Sequence, residues 1–164
     1  MKKSFLFLVL TITSTICFAQ TVHIKDFERM PLIKNPKEYW LKKDFVIKQD
    51  SSGVENIKLR LLNRSTRELL YILVNKDSEG ARLVQVEYFT ASEEDYIKLV
   101  HSLIKLGYVS TTDNWHYEKR ISTYETQTIV LKALVNVKDK NYYAIKYSYY
   151  AGKELSEPVA PPKQ

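Results

Sequence analysis

The segment 92–107, SEEDYIKLVHSLIKLG, constrains this chain more than any other stretch. Ser92 stands where an N-cap is needed, and its hydroxyl can accept one of the unsatisfied N–H groups of a first helical turn. Asp95 follows three residues later as a variant capping box, and Glu93, Glu94 and Asp95 put negative charge at the positive end of the helix dipole. Tyr96, Leu99, Val100, Leu103 and Leu106 then recur at the spacing of one buried stripe, with Glu94, Lys98, His101 and Lys105 opposite. Gly107 supplies a left-handed C-cap, after which Tyr108 can fold back on the last apolar turn. A helix with one apolar stripe must lie on an apolar surface that the rest of the chain provides.

That surface is expected to be a sheet. Residues 45–49 predict a strand, and 56–63 (NIKLRLLN) alternates, with Ile57, Leu59 and Leu61 on one side. Residues 68–76 (ELLYILVNK) are apolar on both sides, as in a strand buried on two faces. Residues 81–89 (ARLVQVEYF) return after a polar loop at 75–80. Beyond the helix, 108–112 and 115–121 predict shorter strands, and 125–137 with 142–150 a long hairpin turned at Lys138-Asp139-Lys140-Asn141. Ahead of all these, Asn35-Pro36-Lys37-Glu38 starts a short helix over 36–43, with Asn as N-cap, Pro first and Glu third. Residues 20–30 predict at most a short strand.

The expected fold is α+β: an antiparallel sheet of seven to eight strands, or two four-stranded sheets, with two helices on one face. Helix, two shorter strands and long hairpin occur twice, over 35–89 and 92–150, at an offset of about sixty residues, the pattern of a tandem helix-plus-four-strand repeat. At the level of element order only, this layout resembles tandem helix-plus-four-strand proteins such as the secreted β-lactamase-inhibitor proteins. No motif accompanies the likeness, so it carries over no site.

The N-terminus reads as an address. Lys2 and Lys3 precede an apolar and hydroxylic run from Phe5 to Phe18, and Ala19 suits a small-residue cleavage site, so residues 1–19 are expected to be a signal peptide of bacterial style. A lipoprotein leader using Cys17, with Ile16 before it, and a retained anchor are the alternatives; the run falls short of the ~20 residues of a spanning helix. Cleavage near Ala19 removes the only cysteine, so the remaining chain, 20–150 as one domain, has no thiol and must hold itself by its core. Loss of Lys2 and Lys3 takes the formal charge from +6 to +4, with bases and acids interspersed, which argues against nucleic acid. Membrane contact is expected only through the cleaved leader. Residues 151–164 carry Pro158, Pro161 and Pro162 without an apolar period and are expected to be a disordered tail.

Motifs of chemistry are scarce. His23, His101 and His116 lack metal-ligand spacing, no Gly-x-Ser-x-Gly is present, and four glycines leave no phosphate cradle, so no catalytic residue, metal or cofactor is assigned. Asp113-Asn114-Trp115-His116 gathers a carboxylate, an amide, an indole and an imidazole: either a small loop-borne site or a plain turn. In 142–150, alternation puts Tyr143, Ile145, Tyr147 and Tyr149 on one face and Tyr142, Ala144, Lys146, Ser148 and Tyr150 on the other. Tyrosines serve binding surfaces well, and they also stabilise cross-strand pairs. The candidate binding residues are therefore Tyr142, Lys146, Tyr150, Trp115 and His116. The expected function is an exported, non-enzymatic domain, periplasmic or secreted, recognising a protein, peptide or glycan through an aromatic sheet face. A small exported enzyme around Asp113 and His116, or a structural subunit of an envelope assembly, are the alternatives.

Overall fold

The computed structural model describes residues 22–53, 55–76, 82–111, 113 and 115–151. Residues 1–21, 54, 77–81, 112, 114 and 152–164 lie outside them, and with them the expected signal peptide, most of the expected loop at 75–80 and the expected C-terminal tail. Helix α1 (Ile24–Arg29) leads through a 3-10 turn (Met30–Leu32) to α2 (Pro36–Leu41). Four strands follow, β1 (Phe45–Asp50), β2 (Asn56–Asn63), β3 (Leu69–Lys76) and β4 (Arg82–Thr90), then helix α3 (Glu93–Lys105). Four more complete the chain: β5 (Val109–Ser110), β6 (His116–Arg120), β7 (Glu125–Val137) and β8 (Lys140–Ala151). All eight form one open antiparallel sheet in the order β1-β2-β3-β4-β8-β7-β6-β5, not two sheets. Each run of four is laid down in chain order, and the two runs join through their last strands at a β4–β8 seam, where Val86 faces Tyr147.

Local chemistry accounts for α3 as the sequence implies. The Ser92 hydroxyl accepts the Asp95 N–H at 3.1 Å, and Tyr96, Leu99 and Leu103 are buried. Gly107, at φ +84°, lets the Tyr108 N–H reach back to the Leu103 carbonyl at 3.1 Å, closing a Schellman turn. Asn35 likewise caps α2 by accepting the Glu38 N–H.

Residues paired across an antiparallel ladder share a face. Leu59, Leu61, Leu70, Ile72, Val74, Val84, Val86, Tyr88, Ile145, Tyr147 and Ile129 belong to one alternation, and they share the main core with Phe27, Trp40, Tyr96, Leu99 and Leu103 from the helices. We call this the inner side of the sheet. The alternate positions form the outer side, where Phe89, Tyr142 and Ala144 make a smaller apolar cluster with Leu69, Tyr71, Val135 and Val137 around it. Two bulges set what reaches that side. One, between Ile47 and Gln49, opposes Gln49 to Arg60; the other, between Lys132 and Val135, brings Val135 opposite Tyr142.

Two expectations change. The lead-in predicted as at most a strand is helix α1. His23 and Asp26 cap it reciprocally, and Phe27 packs its ring against Tyr88 and Tyr147 at centroid distances of 6.1 and 6.2 Å. Strand β3 is not sandwiched between two layers: Leu70, Ile72 and Val74 are in the core, whereas Leu69, Tyr71 and Leu73 are only half-buried on the outer side.

Candidate functional site

The outer side carries one row of side chains across six strands. Following the register from β2 to β6, it reads Arg60, Tyr71, Glu87, Lys146, Val130, His116. The Arg60 guanidinium lies over the Tyr71 ring, 5.4 Å from its centroid, and the Tyr71 ring meets Phe89 edge-on at 5.5 Å. Lys146 Nζ stands 3.5 Å from Glu87 Oε1. Neither Lys58 nor Arg60 has an ion-pair partner among the described residues.

This row bounds two adjoining depressions. The larger, about 420 Å³, lies over β1 to β4 between Gln49, Lys58, Arg60, Tyr71, Gln85 and Glu87, with Leu59, Ile72 and Leu73 as its apolar residues. The smaller, about 160 Å³, is lined by Glu87, Phe89, Lys132, Val135, Ala144 and Lys146. Glu87 lines both, and Lys146 lies against it from the smaller one.

The structure distributes the five residues singled out in the sequence. Lys146 and His116 share the row, two ladders apart, which is about 10 Å at ~4.8 Å per ladder. Tyr150 lies on the same side near the end of β8, paired with Leu83 and Thr126, and is exposed. Tyr142 is on that side too, but it is buried, its ring edge-on to Phe89 at 6.5 Å, so it holds the outer cluster together and offers little to a ligand. Trp115 precedes β6 and belongs to the opposite alternation; its carbonyl accepts the Leu131 N–H at 2.8 Å, and half of its surface is open.

Asp113 and His116 come together. His116 Nδ1 and Asp113 Oδ2 are hydrogen-bonded, and both side chains are exposed. Asp113 Oδ1 also accepts the N–H groups of Trp115 and His116 at 3.0 Å each, the signature of an Asx turn. Desolvation, the largest single influence, pushes the Asp113 carboxyl up. The Trp115 N–H, the His116 ring and the His116 N–H outweigh it and hold the group below its ordinary range. The pair thus has the carboxylate–imidazole half of an acid–base site, built into a turn at the solvent.

On the inner side, polar groups are stitched into the core. Asp26 is buried and accepts from the His23 N–H, the Tyr39 hydroxyl and Lys43 Nζ. Tyr88 donates to the buried Glu68, Tyr108 donates to Gln127 at 2.9 Å, and Lys119 bridges to Glu28 at 2.9 Å. Burial, and then the neighbouring carboxylate, pushes the Tyr88 and Tyr108 hydroxyls far up, so both remain neutral donors.

The groove residues Gln49, Arg60, Tyr71, Gln85 and Glu87 escaped sequence reasoning. The alternation of Lys58 and Arg60 was the available signal, and it reads equally well as an ordinary solvated face. Among the described residues, no three His, Cys, Asp or Glu side chains gather to hold a metal, and no helix is long and apolar enough to cross a membrane. Comparison with protein-family models, with curated proteins and with solved structures gives no match for this chain.

Proposed function

We propose that this chain is an exported, non-enzymatic binding domain whose outer sheet side takes a protein, peptide or glycan partner in the envelope or outside the cell. We read it as a tandem helix-plus-four-strand unit, with helices α2 and α3 closing the inner side and leaving the outer one free. The observation that carries the reading is the larger groove on the outer side, about 420 Å³, with Lys58 and Arg60 in its wall, neither in an ion pair among the described residues. Its volume falls in the range of about 300–1,000 Å³ of small-ligand sites. Cations and amides there are held by strands rather than loops, which suits recognition by a rigid surface. The test is a triple variant, Arg60→Ala, Lys146→Ala and Tyr150→Ala, applied with the parent protein to immobilised glycan and peptide arrays. Retained melting temperature with lost binding is the expected result; identical binding profiles would sink the reading.

A loop-borne acid–base site is the second reading, favoured by the hydrogen bond between Asp113 and His116. It requires a hydrolytic activity that His116→Gln abolishes without changing the melting temperature.

A further inference from the structure

We infer that the larger outer-side groove is a subsite for an acidic sugar, its carboxylate held by Arg60 with Lys58 beside it. The inference rests on the outer-side binding reading and narrows its three partner classes to one. Arg60 presents a planar fork of N–H donors that matches a carboxylate in bidentate fashion. The guanidinium lies over the Tyr71 ring, 5.4 Å from its centroid, a cation–π contact that favours this placement of Arg60 before any ligand arrives. No carboxylate of the described chain neutralises Arg60 or Lys58, and the groove's own acid, Glu87, lies against Lys146. The groove therefore has a cationic end without an anion. Gln49 and Gln85 add amides that both donate and accept, as ring hydroxyls require, and Glu87 adds an acceptor at the far wall. Leu59, Ile72 and Leu73 add apolar surface to the lining, against which the C–H face of a sugar ring can lie.

The probes are a short oligomer of a uronic acid, the same oligomer with its carboxyls reduced to alcohols, and an oligoglutamate peptide. Each is titrated calorimetrically into the purified protein, into Arg60→Gln and into Arg60→Lys. The uronate is expected to bind, more weakly as salt is raised. Loss of a charge-assisted pair should weaken it about ten- to a hundredfold, both in Arg60→Gln and for the reduced oligomer. Arg60→Lys should fall between, because a point charge replaces a fork. Equal binding of the reduced oligomer, preference for oligoglutamate, binding indifferent to Arg60→Gln, or no binding of the uronate would each overturn the assignment. The Lys146→Ala, Tyr150→Ala double variant separates the two levels. A ligand lost in that variant but indifferent to Arg60→Gln removes only the acidic sugar. A ligand indifferent to both removes the outer-side reading as well.

Discussion

Replacing Asp26 measures how firmly helix α1 is fastened to the rest of the fold. The carboxylate is 4% exposed and accepts the His23 N–H at 2.8 Å, the Tyr39 hydroxyl at 2.5 Å and Lys43 Nζ at 2.9 Å. It therefore links α1 to α2 and to the segment that enters β1. Hydrogen bonds to a charged group contribute about 1.5–3 kcal/mol each, but the released Lys43 and Tyr39 are only part-buried and regain water, so the three do not add. Asp26→Asn keeps an acceptor and loses the charge facing Lys43; the expected cost is about 2–3 kcal/mol. Lys43→Met removes the other partner and leaves a buried carboxylate with neutral donors, at a similar cost. Combined, the two substitutions should show a coupling energy of about 1–2 kcal/mol, since a pair in direct contact is not additive. Urea unfolding followed by the fluorescence of buried Trp40 supplies the energies, and amide exchange over residues 24–32 locates the loosening. Coupling below about 0.5 kcal/mol, the level of independent sites, with unchanged exchange in α1, would refute the claim that this carboxylate ties the helices together.

Other consequences follow from burial and backbone geometry. Leu103→Ala should cost about 2–5 kcal/mol in chemical unfolding, while His101→Ala, on the exposed face of the same helix, stays within about 0.5 kcal/mol. Tyr142→Ala should destabilise by about 2–4 kcal/mol through the outer cluster, whereas Tyr150→Ala leaves the melting temperature unchanged. Burial first, and then the hydrogen bond to Asp26, pushes the Tyr39 hydroxyl from 10.0 up to about 12. The unfolded chain ionises this group near pH 10 and the folded chain holds its proton, so stability present below that pH is lost as it climbs to about 12. Burial shifts Tyr88, Tyr108 and Tyr147 the same way, and a melting temperature flat across that window contradicts the packing. The β7–β8 turn places Lys138 and Asp139 at φ +50° and +62°, the conformation of a type I′ turn. Replacing them with Asn and Gly should raise stability by about 1 kcal/mol, read from the urea midpoint.

What was legible in the sequence is what neighbouring residues decide together. Helix α3 carries its cap, stripe and stop within sixteen positions, and the long strands carry their alternation. Helix α1 has six residues, too few for a period to show, and it is helical because Phe27 finds Tyr88 and Tyr147, both far along the chain. The groove was hidden for a related reason. Arg60, Tyr71 and Glu87 fall in one row only once three strands are in register, and Gln49 comes opposite Arg60 only because a bulge shifts β1 by one residue. Tyr142 and Tyr150 share an alternation and look equivalent in the sequence. The bulge at 132–135 separates them by placing Val135 against the first and leaving the second at the open end of the ladder.

The β4–β8 seam has a consequence for how the chain comes into being. Made from its N-terminus, the first half presents β4 as an open margin, with Val84, Val86, Tyr88 and Phe89 along it, until the last strand arrives. Pairs such as Val84 with Tyr149 close a long loop, which is slow, and an unpaired apolar margin invites the wrong partner meanwhile. A chain cut or stalled before residue 140 is thus left with a half-sheet that seeks another copy of itself. Holding the polypeptide extended until its last strand is free removes that hazard.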